Sequence, residues 1–383
     1  MTPSSPPAAG RRIVYVVTED WFFASHFLPM LRAARGLGLE ATVVTRVRDH
    51  RAAIEAAGAN VIALEAERRS LNPLSAGYAA GRLAATLREI GPDLVHCIAL
   101  RAILVGGAAA ALAGIDRRVY ALTGLGLTGA RTDPVGRGTR LLVRTLVRGL
   151  ETRRTRYLFE NPDDPGLLGL DPADGDRVTL VGGAGIDPDR LRPAPLPTQP
   201  PLRVAVVARM LWSKGVDLAV EAVRRARARG APVELTLHGA PDPSNPRAVP
   251  PAMLEAWAAE PGIRYAGVTG DVAAVWRGHH VCCLASRGGE GLPRTLLEAA
   301  ACGRALLTTD VPGCRALVRD GREGLLVPAN DAGALADALV RLAADPALVA
   351  AMGAAARARV LDGFTESAVA GAVAGLYGRM LAE

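Results

Sequence analysis

The sequence predicts an α/β protein of two Rossmann-like βαβ domains, and three observations lead there: length, composition, and a strand–helix rhythm that stops once and restarts. At 383 residues the chain exceeds what one ordinary core fills, so two domains facing each other across a cleft are expected. Half of the residues are hydrophobic, aromatics are 4% and glycines number 42, which suits helices packed closely on sheets better than an aromatic-rich sandwich. Short β-branched runs alternate with helical patterns, as parallel sheets require.

Taken in order, residues 1–12 are polar and rich in Pro and Ser with no apolar h-region, which predicts a disordered tail and not a signal peptide. Strands are expected at 13–18, 41–45, 61–64, 93–97, 118–122, 157–160 and 178–181, giving a first domain over 13–192. The run LRPAPLPTQPPL follows. Its prolines remove backbone donors and favour extended chain, so a linker is placed at 193–201. The rhythm resumes with strands at 203–207, 234–238, 263–265, 281–284 and 305–308 and helices at 216–228, 294–302 and 332–343, a second domain over 202–365. The final helical pattern, 367–380, has no strand after it, so 366–383 is expected to pack back on the first domain. The most apolar stretch, 103–115, falls short of the roughly 20 residues that span a bilayer.

A net charge of +7 is compatible with nucleic acid, an anionic membrane or anionic small substrates, and does not choose among them. The five cysteines show no C-x-x-C spacing and sit in apolar runs, which predicts buried, reduced thiols in a cytosolic protein. Asp163-Asp164 and Asp187-Pro188-Asp189 are explained as turns and caps without a metal. Arg140, Arg144 and Arg148 recur every four residues among leucines and valines. Such a basic amphipathic helix can lie on an anionic membrane or simply present a solvated face.

Lys214 is the only lysine among 45 basic residues, which marks a position where a compact ammonium is not exchangeable for a guanidinium. It closes the turn after the strand at 203–207 and opens a helix. Ligands of open α/β sheets sit at the carboxyl ends of strands, so Arg209 and Lys214 are expected to face an anion such as pyrophosphate. A second group is Gly288-Gly289-Glu290-Gly291-Leu292-Pro293, leading into a helix that carries Glu298. Pro293 suits the first helical position, and neither Gly291 nor Leu292 offers a capping side chain, so an anion could complete that helix end. Each carboxylate can accept two hydroxyl protons, which suits a sugar at Glu290 and a ribose at Glu298. A third group follows first-domain strands: Trp21 and His26, His96, and Gly124.

On these residues the chain resembles glycosyltransferase family 4, the retaining family with the GT-B fold. The resemblance spans nearly the whole sequence and is strongest in ARMLWSKG at 208–215 and in the E-x7-E pattern from Glu290 to Glu298. Further similar stretches are DWFFASH at 20–26, HCIALRAILVGG at 96–107, LTGLG at 122–126, FENPDD at 159–164, GGAGID at 182–187 and TTDVPGCRALVRDGREGLLVP at 308–328. They point to a bacterial, cell-envelope polysaccharide type.

The resemblance implies that Arg209 and Lys214 bind the donor diphosphate, Glu298 the ribose and Glu290 the donor sugar, with Gly289, Gly291, Leu292 and Pro293 completing the donor site. It further implies that His96 touches the sugar, so that Glu290, Arg209, Lys214 and His96 form the catalytic set, and that Trp21, His26 and Gly124 lie on the acceptor side. The donor is then a UDP- or GDP-sugar and the acceptor a saccharide or a lipid-linked saccharide. No metal, cofactor or nucleic acid is called for, and the place of work is the cytoplasm or the inner face of the plasma membrane. Two departures stand out: Asp20-Trp21-Phe22-Phe23 replaces the glycine-rich loop of many relatives, and Leu100-Arg101 stands where many carry Pro-Lys. The rival readings are a nucleotide-sugar epimerase or phosphorylase, and a non-catalytic membrane-surface subunit of the same fold. A nicotinamide oxidoreductase is disfavoured, because no G-x-G-x-x-G follows the first strand.

Overall fold

A computed structural model of the chain describes residues 10–64, 73–124, 133–243 and 245–383. The chain divides into two compact units, Met1–Gly185 with Glu366–Glu383, and Ile186–Thr365.

In the first unit seven parallel strands form one sheet in the order β3-β2-β1-β4-β5-β6-β7: β1 (Arg12–Glu19), β2 (Glu40–Arg46), β3 (Ala59–Ala63), β4 (Leu94–Ile98), β5 (Arg118–Leu122), β6 (Thr155–Phe159) and β7 (Val178–Leu180). Alternating side chains of β1 enter two different cores. Ile13, Tyr15 and Val17 pack on one face with Met30 and Leu31 of α2 (Leu28–Gly36). Val14 and Val16 pack on the other with Leu83 and Leu87 of α4 (Pro73–Ile90) and Ile103 of α5 (Leu100–Leu112). Burial on both faces explains why these strands are continuous apolar runs without polar alternation. Between β1 and β2 also lies α1 (Asp20–His26), and α3 (Arg51–Ala56) precedes β3. After β5 come α6 (Pro134–Gly149) and, after β6, α7 (Asp164–Leu167).

The second unit holds six parallel strands in the order β10-β9-β8-β11-β12-β13: β8 (Leu202–Val207), β9 (Val233–His238), β10 (Ile263–Gly267), β11 (Val281–Leu284), β12 (Ala305–Thr309) and β13 (Gly324–Val327). Val204 and Val206 of β8 pack toward α8 (Val216–Ala228), α9 (Pro251–Ala258) and α13 (Ala332–Ala344). Ala205 packs toward α10 (Val272–Arg277), α11 (Arg294–Ala301), α12 (Pro312–Leu317) and α14 (Pro346–Leu361). Strand order reverses between β1 and β4 in one sheet and between β8 and β11 in the other. Such switch points open crevices at the strand carboxyl ends.

Three features differ from expectation. The tail expected over 1–12 gives way to strand at Arg12, whose backbone N–H donates to Asp93 Oδ2 at 2.9 Å; residues 1–9 lie outside the described residues. The stretch expected as a linker, 193–201, belongs to the second unit, as does 186–192. It is tied down through side chains: Gln199 Nε2 donates to Leu342 O and Ala343 O, at 3.2 and 3.1 Å, while carbonyls of the segment meet His280, whose Nε2 lies 2.9 Å from Pro197 O, and Arg304, which donates to Ala194 O. The chain instead leaves and re-enters this unit side by side, where Ile186 N donates to Phe364 O at 3.0 Å. Strand β13, which opens on Gly324 and follows the polar run Arg319–Glu323, was absent from the expected set. The last helix, α15 (Glu366–Ala382), buries Val369, Val373, Leu376, Tyr377 and Met380 in the core shared with α2.

All five cysteines are free and buried. Among the described residues no single helix is long and apolar enough to cross a membrane. The apolar pair α13 and α14 is bent by 106°, and its Leu335, Leu339, Val349 and Met352 are core residues.

Candidate functional site

In the second unit, the loops leaving β8 and β11 meet beside the switch point. After Val207 the chain runs through Arg209 into a single 3-10 turn, Trp212–Lys214, and Gly215 starts α8 with φ of 65°. A Cβ on Gly215 would lie 1.9 Å from the carbonyl oxygen of Ala285, so only glycine lets this turn rest on the end of β11. The contact brings Lys214 over the second loop. Its Nζ donates to both carboxylate oxygens of Glu290, each at 2.7 Å, with the two side chains 18% and 16% exposed.

The Glu290 loop is itself held. Ser286, fully buried, donates through Oγ to Glu290 Oε1 at 3.2 Å and accepts from the backbone N–H of Gly288 at 3.2 Å. Arg287 pairs broadside with Asp217 of α8, at 2.8 and 2.7 Å, and donates to Asn330 Oδ1 at 3.0 Å. From the far side, Gly313 of α12 closes in so tightly that a Cβ there would sit 1.9 Å from Gly291 O. Planar, two-bond guanidinium pairing of this kind fixes orientation as well as distance.

Beyond Gly291 and Leu292 the chain enters α11, for which Pro293 is the N-cap (φ −65°, ψ 117°), one residue before the first helical position expected for it, with no side-chain capping bond. Glu298 lies one turn into α11, where Arg294 Nε donates to its Oε1 at 2.9 Å. Burial raises the Glu298 carboxyl above the ordinary glutamate value and Arg294 opposes that rise.

Glu298 and Arg294 face a cavity of about 440 Å³ that Arg209, His238, Gly239, Asp242, Val268 and Thr269 also line. Arg209 reaches Asp242 Oδ2 at 3.4 Å. His238 is 8% exposed, its Nε2 has no hydrogen-bond partner among the described residues, and burial, aided by His279 and Arg264, lowers its pKa to about 4. The imidazole is thus neutral at physiological pH.

Arg209, Lys214, Glu290 and Glu298 therefore fall into two adjoining groups, Lys214 with Glu290 and Arg209 with Glu298, joined by the continuous segment 290–298. Gly289 (φ 79°) lies within the loop that carries the first group. Cations at strand ends, a hollow that mixes apolar wall with Arg209, Arg294 and Glu298, and two carboxylates can hold a phosphorylated, hydroxyl-bearing ligand. Among the described residues no three His, Cys, Asp or Glu side chains cluster as metal ligands.

Several partners were not singled out from the sequence. The Arg294–Glu298 pair was legible as an i, i+4 spacing. The other partnerships were not: Ser286 serves Glu290 through a loop, and Arg287 meets Asp217 only because β8 and β11 are neighbours.

In the first unit the outcome is mixed. His96 lies within β4 and is fully buried, which corrects the expectation that it touches a ligand. Tyr15 donates to Met30 O (3.1 Å) and Tyr377 donates to Tyr15 (3.2 Å), so the 2.6 Å contact between His96 Nδ1 and Tyr377 is donated by the histidine. Its Nε2 is left without a partner, and burial lowers its pKa to about 3. Trp21 and His26 lie on α1, not on a loop, and Ser25 Oγ is 2.6 Å from His26 Nδ1. Gly124, with φ of 96°, follows β5. Because the sheet is parallel, α1 and Gly124 share its carboxyl edge; Leu125 and Gly126 of the same motif lie outside the described residues.

Two family models match the chain, "Glycosyl transferase 4-like" over residues 12–154 and "Glycosyl transferases group 1" over 201–345. The N,N'-diacetylbacillosaminyl-diphospho-undecaprenol alpha-1,3-N-acetylgalactosaminyltransferase of Campylobacter jejuni is 23% identical over 337 residues, 84% of this chain and 87% of that protein. Among solved structures, the sucrose-phosphate synthase of Thermosynechococcus elongatus matches with a TM-score of 0.77 at 21% identity, over 97% of this chain and 99% of its own. Anabaena HepE, solved with UDP-glucose, matches with a TM-score of 0.76 at 15% identity, over 96% and 99%. At such identities the structures speak for the fold. Family models over both units and the strand-end constellation around Lys214 and Glu298 agree: the chain belongs to glycosyltransferase family 4, the retaining glycosyltransferases of the GT-B fold.

Proposed function

We propose that the chain transfers a sugar from a nucleoside-diphosphate sugar to a hydroxyl of a lipid-linked saccharide on the cytoplasmic side of the membrane, without a metal. The observation that carries the donor side is the pairing of Lys214 with Glu290 beside a 440 Å³ cavity walled by Arg209 and Glu298. Arg209 and Lys214 neutralise the diphosphate. Glu298 accepts the ribose hydroxyls and Glu290 a hydroxyl of the sugar. The lipid-linked acceptor is supported by the name of the Campylobacter relative, an enzyme of a diphospho-undecaprenol substrate, and UDP as the base by the HepE complex, with GDP the alternative.

In this reading the acceptor oxygen bonds to the anomeric carbon on the face from which the diphosphate departs. The bond from that carbon to the phosphate oxygen breaks, its electron pair goes to the diphosphate, and a diphosphate oxygen takes the acceptor's proton. No protein nucleophile is needed. The chain contributes stabilisation of the charge that grows on the leaving group, where positioned cations in a water-poor site act most strongly. Trp21, His26 and Gly124 serve the acceptor.

The test is thermal protection by a panel of UDP- and GDP-sugars. One base is expected to raise the melting temperature of the wild type, and Lys214→Ala is expected to abolish that rise. Protection by none of the panel, or equal protection of Lys214→Ala, would overturn the reading.

A further inference from the structure

His238 is a buried polar side chain that the proposed chemistry does not use. It ends β9, where alternation sends Val233, Leu235 and Leu237 into the core beneath α8 and α9 and leaves Glu234, Thr236 and His238 on the opposite face. Its neighbour across the ladder is Val207, so an apolar side chain would serve packing at this place. The imidazole is instead 8% exposed with an Nε2 that no described residue pairs. A bare buried polar atom costs stability, and one that borders a cavity points to a ligand that completes it.

The backbone around His238 is fixed. Gly239, with φ of 135°, lies so close to the end of β8 that a Cβ there would sit 1.8 Å from Ala208 O. Its N–H donates to Gly267 O at 2.8 Å and its carbonyl accepts from Tyr265 Oη at 2.9 Å. The ends of β8, β9 and β10 are thereby tied together, and because β9 is the middle strand of the three, His238 is held between the segments that carry Arg209 and Val268. All three residues line the 440 Å³ cavity with Glu298.

The His238 part of that cavity suits an uncharged ring. Val268 is 75% exposed, the most exposed large apolar side chain among the described residues. Thr269 Oγ1 is engaged by its own turn, donating to Asp271 O and accepting from Asp271 N, both at 3.1 Å. His238 and Thr269 also border a second hollow of about 530 Å³, so the two hollows meet at these residues. A neutral imidazole offers one N–H and one lone pair, a match for the edge of a heterocycle.

We propose that His238 reads the nucleobase of the donor, pairing its Nε2 with the edge of the ring while Val268 gives the ring apolar contact, and so decides which nucleoside diphosphate the chain accepts. This rests on the donor reading: with the diphosphate assigned to Arg209 and the ribose to Glu298, the base falls to the rest of the same cavity. Uracil and guanine both set a carbonyl oxygen beside an N–H, so either tautomer of the imidazole finds a complement. A one-ring and a two-ring base bring that edge to different depths, and only one of them reaches Nε2. The other leaves the imidazole unpaired, which is how a polar site rejects a near match.

The experiment is isothermal titration of the full chain with UDP, GDP and inorganic pyrophosphate, the last having no base. Wild type is expected to bind one nucleotide at least about tenfold more tightly than the other. His238→Phe keeps a planar ring without its nitrogens, and is expected to bind the preferred nucleotide about tenfold more weakly, to bring UDP and GDP close to equal affinity, and to bind pyrophosphate as wild type does. His238→Gln, which keeps a donor and an acceptor, should recover part of the preference; it carries the test if phenylalanine lowers the melting temperature. An unchanged preference in both variants overturns the proposal, and so does an equal loss of UDP, GDP and pyrophosphate, which marks a merely structural histidine. Either result leaves the donor reading standing, because wild type still binds a nucleotide. A wild type that binds neither UDP nor GDP overturns both.

Discussion

Lys214 is the one lysine of the chain, and its two 2.7 Å bonds to Glu290 show why arginine has not replaced it. A guanidinium would pair broadside with that carboxylate and hold its charge farther out, whereas a compact ammonium sits against both oxygens and keeps a third donor for phosphate. Lys214→Ala is expected to lower kcat by about 10²–10³-fold, and Lys214→Arg to recover little of it; a fully active arginine variant in a transfer assay would refute this account. His96 makes a different prediction, on stability. Its folded pKa, near 3, lies below the unfolded value of 6.5, so the unfolded chain binds the extra proton and stability falls as the pH drops below about 6.5, by about 1.4 kcal/mol per pH unit. Asp164, raised by burial to about 6 from 3.8, acts oppositely, holding its proton in the folded unit and adding stability as the pH falls from about 6. The measurement is therefore the difference between wild type and His96→Leu in melting temperature from pH 7 to 5. The variant should lose the histidine's share of the slope, and equal slopes would contradict the buried neutral imidazole.

Among the elements, the β8–α8 turn is the one whose shape sets the site. Gly215 combines φ of 65° with a Cβ direction that ends 1.9 Å from Ala285 O, so Gly215→Ala must push the turn off β11. A backbone forced out of place at such a position costs about 1–3 kcal/mol, and Lys214, its neighbour, moves with it. The expected result is a lower melting temperature together with loss of nucleotide-sugar protection, and a variant retaining both would show that the contact is not needed. At the other end of the chain, α15 contributes Val369, Val373, Leu376, Tyr377 and Met380 to the first unit's core. Deleting 366–383 strips that face, and the first unit should become sensitive to protease while the second, whose core holds none of these residues, keeps its nucleotide-sugar protection. Equal protease resistance of the truncated and complete chains would argue against this packing.

For the whole molecule, the proposal of transfer without a divalent cation assigns the diphosphate to Arg209 and Lys214, which in the free protein face the carboxylates of Asp242 and Glu290. Transfer should survive EDTA at full rate, and a loss reversed by Mg²⁺ or Mn²⁺ would reassign the neutralising role. The sequence by itself determined the two parallel α/β units, because a strand buried on both faces must be an apolar run and a helix behind it must show its own period; β5, β11 and α8 were delimited to the residue. It also determined the strand-end motifs around Lys214 and Glu298, since turn residues are local. Tertiary structure alone decided that His96 is enclosed beneath Tyr377, 281 positions away, that the proline run at 193–201 is bound to the second unit, and that Ser286, Arg287 and Asp217 hold the Glu290 loop. Each of these depends on which strands become neighbours and which helix covers them, and pairing between distant segments leaves no periodic trace along the chain.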